Sequence, residues 1–373
     1  MHIRDSHGIY GAERVILTLG KNIDKERYKF MILCMRRKDG GSEELMNKAS
    51  RFGIQVIPVD VNGRIDLGAL TRMRKIFKNN KISIIHSHDY KSDLYGLIAS
   101  INLGIKQIVT VHGSTRDSLK KKLYLFITEQ FIYRFVDRLI AVSEEIFQSL
   151  RKYHPPKRIE LVQNGIDLSV VENEKEGGEG EDAFSISNEH KVFGVIGRLF
   201  PDKGHRFFLE ALSRVVMNHP SVMALIVGDG PARNEIAGQV RKLKLENCVQ
   251  LCGVWSDMKR IYDKIDFLVI PSLREGLPYT LLEAMAYKVP VLASTVGDIP
   301  RLVQEGVTGY LVPPGDTEAL VKGMNQLLTD PEKSKEMAEK AHFLVMGRFS
   351  ADRMVSKTEE VYAKILWKNG IGE

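Results

Sequence analysis

The segment from Phe267 to Ser294 restricts this chain more than any other. Phe267-Leu268-Val269-Ile270-Pro271 is a continuous apolar run, the kind a central parallel strand buries on both faces. Ser272 to Pro278 reads as a loop, Pro278 suits the first turn of a helix, and Thr280 to Tyr287 are mostly good helix formers. Val289-Pro290-Val291-Leu292 then begins another strand. Strand, loop, short helix and strand in succession predict an α/β fold around a parallel sheet. In such a sheet ligands bind outside the carboxyl ends of the strands, which is where Glu275 falls. The free amides of Gly276, Leu277 and the helix start suit an anion such as phosphate. Glu283 lies about two turns along that helix, within reach of a neutral polyol such as a ribose.

A second strand end adds charge of the opposite sign. Lys191 to Gly197 reads as a strand, and the loop Gly197-Arg198-Leu199-Phe200-Pro201-Asp202-Lys203-Gly204 follows it. Arg198 and Lys203 on one loop at a strand's carboxyl end form either a solvated basic loop or a place to neutralise a diphosphate. The run Val222 to Val227 ends in Gly228-Asp229-Gly230-Pro231, which opens like a dinucleotide fingerprint. Arg233 stands where its third glycine belongs, and that counts against a dehydrogenase.

The first half of the chain repeats the pattern. Strands are expected over Tyr28–Cys34, Ile54–Val59, Ile82–His88 and Ile108–Gly113, with a helix-capping Ser143 after a further short strand. The opening strand, Met1 to Asp5, looks clipped, so the natural start is expected upstream. Tyr10-Gly11 enters an amphipathic helix and is either an ordinary turn or a backbone approach to phosphate. His112 closes a strand where sheet ends line a crevice. His86-x-His88 is at most half a metal site, because spacing supplies no third ligand, and no metal is expected.

Charge is distributed unevenly. Residues 1–172 hold 29 Lys and Arg against 19 Asp and Glu, while the remainder holds 25 against 28. A basic half beside a near-neutral one predicts an anionic surface as partner. Arg116, Lys120, Lys121 and Lys122 precede an aliphatic and aromatic run to Val136. That stretch is either a core helix with a basic start or an interfacial helix on anionic lipid. No nucleic-acid-binding motif accompanies the charge, so nucleic acid is not expected. Three cysteines form no disulfide framework, no apolar run is long enough to span a membrane, and Met1 to Asp5 carries charge too early for a signal peptide. A cytoplasmic protein attached peripherally to the inner face of the plasma membrane is expected. The segment Glu172 to Asp182 is acidic and glycine-rich, the composition of a linker.

Several of these segments together resemble the retaining glycosyltransferases of family four. The resemblance rests on Glu275-x7-Glu283, on Gly197-Arg198-Leu199 with Lys203-Gly204, on Gly228-x-Gly230-Pro231, on Gly11-Ala12-Glu13, and on Gly306-x-x-Gly309-x-Leu311-Val312-x-Pro314-x-Asp316. It runs from about Gly11 to Tyr362, with Tyr10 replacing a family glycine and Gln163 a family proline. The resemblance implies the GT-B architecture: two Rossmann-like parallel-sheet domains facing a deep cleft. The first would occupy residues 1–171 and the second 191–349, joined by a linker over 172–190, with a last helix, about 350–373, packing back on the first.

The resemblance further implies transfer of a hexose-type sugar from a UDP- or GDP-linked donor to a glycan or lipid-linked acceptor, in polysaccharide or glycolipid assembly. Glu275 and His112 would contact the donor sugar, and Arg198 and Lys203 its diphosphate. Glu283 would hold the ribose, Gly11 would approach the phosphates, and backbone near Val254 would meet the base. No cofactor or metal is expected. A nucleotide-sugar epimerase or sugar phosphorylase on the same fold is the enzyme alternative, and a basic nucleic-acid- or membrane-binding protein the other.

Overall fold

The computed structural model describes every residue except 7, 37–41, 64, 113–130, 169–186, 188, 256 and 368–373. The chain divides into two compact units, Met1–Gly165 together with the segment from Ala351, and Ile166–Ser350. The division falls at Gly165, earlier than the limit at 171 drawn from the sequence. Nearly all of the acidic linker lies outside the described residues.

Unit 1 is built on seven parallel strands: β1 (His2–Arg4), β2 (Met31–Arg36), β3 (Gln55–Asp60), β4 (Ile84–Ser87), β5 (Lys106–Val111), β6 (Arg138–Ala141) and β7 (Ile159–Leu161). Their order is β3-β2-β1-β4-β5-β6-β7. Parallel strands need crossovers that cover both faces, and the apolar composition follows: Met31 to Met35 are all buried. Ile3, Leu33, Met35, Phe77 and Tyr95 share one core cluster. Asp89 caps the helix Tyr90–Ser100 by accepting from the amides of Lys91 and Ser92, and Ser143 caps Glu144–Arg151 through the amide of Ile146. The helix Ala351–Trp367 belongs to this unit, and its Tyr362 is buried.

Unit 2 carries six parallel strands: β8 (Lys191–Ile196), β9 (Val222–Val227), β10 (Val249–Gly253), β11 (Phe267–Ile270), β12 (Val291–Ser294) and β13 (Tyr310–Val312). Their order is β10-β9-β8-β11-β12-β13. The apolar run that dominates the sequence becomes β11, buried along its whole length between β8 and β12. The following helix is Tyr279–Ala286, and Pro278 precedes it as the N-cap with extended backbone. The prolyl ring has no N–H to leave unsatisfied there. Leu281, Leu282, Ala284 and Met285 bury this helix in one of the unit's two large apolar clusters.

Both sheets reverse their direction of growth, between β1 and β4 in one and between β8 and β11 in the other. At such a switch point the adjacent crossovers leave to opposite faces and open a crevice beyond the strand ends. Arg198, Lys203 and Glu275 follow β8 and β11 at one of these places, and Gly11 follows β1 at the other.

Candidate active site

In unit 2 the loop after β8 meets the loop after β11. Gly204 has a left-handed backbone, φ 72°, and a Cβ there would collide with the carbonyl oxygen of Pro271. The amide of Leu273 donates to the carbonyl of Asp202 at 2.7 Å, so the two loops are tied on both sides of Ser272. Gly297 performs the same service from the loop after β12. Its φ is 56°, and a Cβ would strike the carbonyl oxygen of Glu275. Only glycine permits approaches this close at these angles.

The result is a small charged assembly. Lys203 Nζ donates to Glu275 Oε1 at 2.6 Å, and Ser272 Oγ donates to the same oxygen at 2.8 Å. Both partners are largely shielded, Lys203 being 21% and Glu275 11% exposed in their side chains. With both bonds on Oε1, Oε2 is the oxygen left to meet a ligand hydroxyl. Lys203 has three N–H groups and spends one on Glu275, so two can face phosphate oxygens. Arg198 is exposed on the same loop, its guanidinium 5.0 Å from the centre of the Phe200 ring.

The remaining donor-side residues divide. Gly276 is half-buried and accepts from the amide of Asp298 at 3.0 Å, which holds the loop just before the helix. Leu277 is buried. Val254 follows β10 and is 52% exposed, open to a planar ligand. Glu283 differs from the sequence expectation. It has no exposed surface, and Tyr262 donates its hydroxyl to Glu283 Oε2 at 2.7 Å. In this arrangement the carboxylate anchors the helix that presents Gly276 and Leu277. Tyr262 was not foreseen, because its partner lies 21 residues away in another element.

In unit 1, Gly11 begins the helix Gly11–Asn22, and Glu13 is fully buried. Arg4 Nε donates to Glu13 Oε1 at 2.6 Å, and Arg4 lies 3.5 Å from Asp89. Burial opposes the Arg4 charge, but Glu13 and Asp89 overcome it and raise its pKa. His112 stands just past β5, half-buried, with Nε2 3.0 Å from His88 Nδ1. Burial, and then the Arg4 charge, push its pKa down to about 3. This imidazole is therefore neutral at physiological pH and works as a hydrogen-bonding group. Arg116, Lys120, Lys121 and Lys122 lie outside the described residues; at the end of that stretch Phe131 and Phe135 are exposed. Among the described residues no helix is long and apolar enough to cross a membrane.

Comparison with known proteins bears directly on this arrangement. The family described as Glycosyl transferases group 1 matches residues 180–342, and the family described as Glycosyltransferase Family 4 matches residues 9–170. The chain belongs to the group 1 glycosyltransferases of family four. This glycosyltransferase is 26% identical over 373 residues to the UDP-Gal:alpha-D-GlcNAc-diphosphoundecaprenol alpha-1,3-galactosyltransferase of Escherichia coli, covering 97% of this chain and 95% of the relative. It is 26% identical to the capsular polysaccharide biosynthesis glycosyltransferase CapM of Staphylococcus aureus, over 83% and 85% of the two chains. Among solved structures, Anabaena Alr3699/HepE in complex with UDP and glucose aligns with a TM-score of 0.81 at 20% identity, over 97% and 98% of the chains. The two parallel-sheet units are those of the GT-B fold.

Proposed function

We propose that this glycosyltransferase moves a hexose from a nucleoside diphosphate sugar, UDP-linked in the first instance, to a glycan or lipid-linked acceptor in polysaccharide or glycolipid synthesis, with retention of configuration. The observation that carries the reading is the Lys203–Glu275–Ser272 assembly at the ends of β8 and β11. It sets a cation and a polyol-binding carboxylate side by side, which is what a sugar attached to diphosphate requires. The Escherichia coli relative acts, by its name, on UDP-galactose and a diphosphoundecaprenol-linked acceptor, and the Anabaena structure holds UDP and glucose; both favour uracil over guanine, and the first favours a lipid-linked acceptor.

In the proposed step the bond between the anomeric carbon and the leaving phosphate oxygen breaks. The acceptor oxygen attacks from the same face, and its proton passes to the leaving phosphate. Double displacement in retaining glycosidases uses two carboxyl groups about 5 Å apart; here Glu275 is assigned to the sugar hydroxyls instead, through Oε2. Arg198, Lys203 and the amides at the start of Tyr279–Ala286 stabilise the charge that grows on the diphosphate.

The donor is tested by thermal shift. UDP and a UDP-hexose at one hundred times their dissociation constants should stabilise the protein by about 2.7 kcal/mol, whereas GDP-mannose at equal concentration should not. Stabilisation by the guanine donor alone would overturn the uracil assignment.

We further propose that the basic stretch at 116–122 attaches the protein reversibly to anionic lipid, so that a lipid-linked acceptor is met at the surface. Each basic residue near such a surface contributes about 1 kcal/mol. Changing Lys120, Lys121 and Lys122 together to glutamate should abolish co-sedimentation with vesicles rich in phosphatidylserine at low salt. Equal sedimentation of variant and wild type would remove this proposal and leave the transfer reaction untouched.

A further inference from the structure

Unit 1 holds a cluster of imidazoles that transfer of a sugar does not by itself explain. Side chains two apart on a strand share a face, so His86 and His88 extend one column and Thr110 and His112 the next. His2 on β1 stands opposite His86 in register. Neighbouring rings stack, with centroids 4.5 Å apart for His86 and His88 and 5.3 Å for His88 and His112.

The polar atoms of this cluster form one unbranched chain. His112 Nε2 is 3.0 Å from His88 Nδ1, and His88 Nε2 is 2.8 Å from His2 Nδ1. His2 Nε2 is 3.0 Å from the Tyr362 hydroxyl, which in turn is 2.7 Å from His86 Nδ1. His86 Nε2 ends the chain at 2.5 Å from Thr110 Oγ1. Burial pushes the pKa of His2, His86 and His88 well below the ordinary histidine value, with neighbouring positive charge adding to it. All four rings are therefore neutral.

A neutral imidazole carries one N–H and one acceptor nitrogen, so each contact along the chain must hold a single proton. Two arrangements satisfy every contact and also place the Tyr362 proton within the chain. In one, all four rings are protonated at Nε2 and His112 donates inward. In the other, all four are protonated at Nδ1 and the Thr110 hydroxyl donates to His86. A mixture among His112, His88 and His2 leaves a buried contact with two protons or none, and His86 differs from them only where the Tyr362 hydroxyl accepts from both rings and sends its own proton outside the chain.

A metal reading competes, because ring nitrogens of His2, His86 and His88 lie within 4.8 Å of one another. Two imidazoles on one zinc ion hold their nitrogens about 3.3 Å apart, with in-plane lone pairs converging on the ion. Here His2 and His88 stack with planes 20° apart and share a hydrogen bond at 2.8 Å. That geometry suits a proton between them.

We propose that Thr110, His86, Tyr362, His2 and His88 are positioning residues that tie the tautomer of His112 to that of the whole chain, and so to whether its Nδ1 offers a ligand a donor or an acceptor. The inference rests on reading His112 as a group that faces substrate. The partner of one ring nitrogen sets the proton on the other, and this chain carries that control from the last helix of the unit to the strand end.

The test is nuclear magnetic resonance of the full chain labelled with 15N at its histidine rings, each signal assigned by single substitutions to glutamine. His2, His88 and His112 should show the same neutral tautomer, and added zinc should leave their signals unchanged. Tyr362→Phe keeps the ring but cuts the chain, and should convert the His112 signal to a mixture of tautomers. Thr110→Val should do the same from the far end without disturbing Tyr362, and Thr110→Ser should restore the wild-type pattern. For Tyr362→Phe, kcat for transfer should fall about tenfold, the low end of what losing a partner that orients a metal-bound imidazole costs, with KM for the donor little changed. Unlike tautomers in the wild type, an unmoved His112 signal in both severed variants, or a zinc-induced shift would each overturn the proposal. A changed tautomer with an unchanged rate would instead overturn the assignment of His112 to the reaction.

Discussion

Replacing Lys203 with alanine should lower kcat for sugar transfer by about 10²–10³, the usual cost of losing one preorganised electrostatic contact in an active site. The reason lies in when the charge appears. The diphosphate gains negative charge as the glycosidic bond breaks, so a cation beside it binds the transition state more tightly than the ground state. Lys203 is held for this by its 2.6 Å bond to Glu275, which leaves two of its three donors for the leaving group. Arg198→Ala should act in the same direction from the same loop. Because these cations and the helix amides supply the neutralisation in this reading, EDTA should leave wild-type transfer unchanged. Steady-state kinetics with the donor decides the point. A raised KM at constant kcat would mean that Lys203 contributes only uniform binding, and dependence on added metal would place the neutralising charge elsewhere. Unfolding of the variant is measured separately, since Glu275, its side chain only 11% exposed, loses its cationic partner and keeps only Ser272.

The strands of this protein are readable from sequence because the physics that forms them is local. A run such as Phe267 to Ile270 has to be buried on both faces, and β11 is. Glu275 and Lys203 each follow a strand visibly, and the rule for parallel sheets places both at carboxyl ends. That they touch, across 72 residues, depends on β8 and β11 being neighbours and on Gly204 admitting the Pro271 carbonyl, which no spacing reveals. Glu283 shows the opposite failure. Its position on the helix was legible, but burial under Tyr262 is decided by packing between elements. The histidine chain was hidden for the same reason: His86-x-His88 is visible, whereas Tyr362 arrives from 276 residues away.

Stability should fall steeply with acid, and the loss should come from unit 1. His2, His86, His88 and His112 are held neutral by burial, His112 with a pKa near 3, whereas in the unfolded chain each titrates near 6.5. Above that pH both states are neutral and the groups contribute no pH dependence. Below it the unfolded chain takes up protons that the folded unit refuses, so the unfolded state is favoured more with each step down. Each such group contributes about 1.4 kcal/mol per pH unit. Asp93 opposes them: burial, then Asp89, raises its pKa well above the ordinary value, so the folded unit gains a proton there as pH falls. Four histidines against one aspartate leave a net slope approaching about 4 kcal/mol per pH unit, and the Met1 amine, lowered to about 5 by burial, adds to it from about pH 8 downward. A domain stable by about 5–15 kcal/mol loses that margin within a few pH units below 6.5. In unit 2 one histidine among the described residues is lowered this way, His205, to about 4 by burial and then Lys203, so its dependence should be shallower. Denaturant unfolding followed at pH 7.5, 6.5, 5.5 and 5.0 should show one transition weakening sharply and another slightly. In His88→Gln the steep slope itself should drop by about 1.4 kcal/mol per pH unit, whatever the variant does to stability at pH 7.5. A flat profile from pH 7.5 to 5.0 would mean that the imidazoles accept protons in the folded unit, and the neutral hydrogen-bonded chain would fall with it.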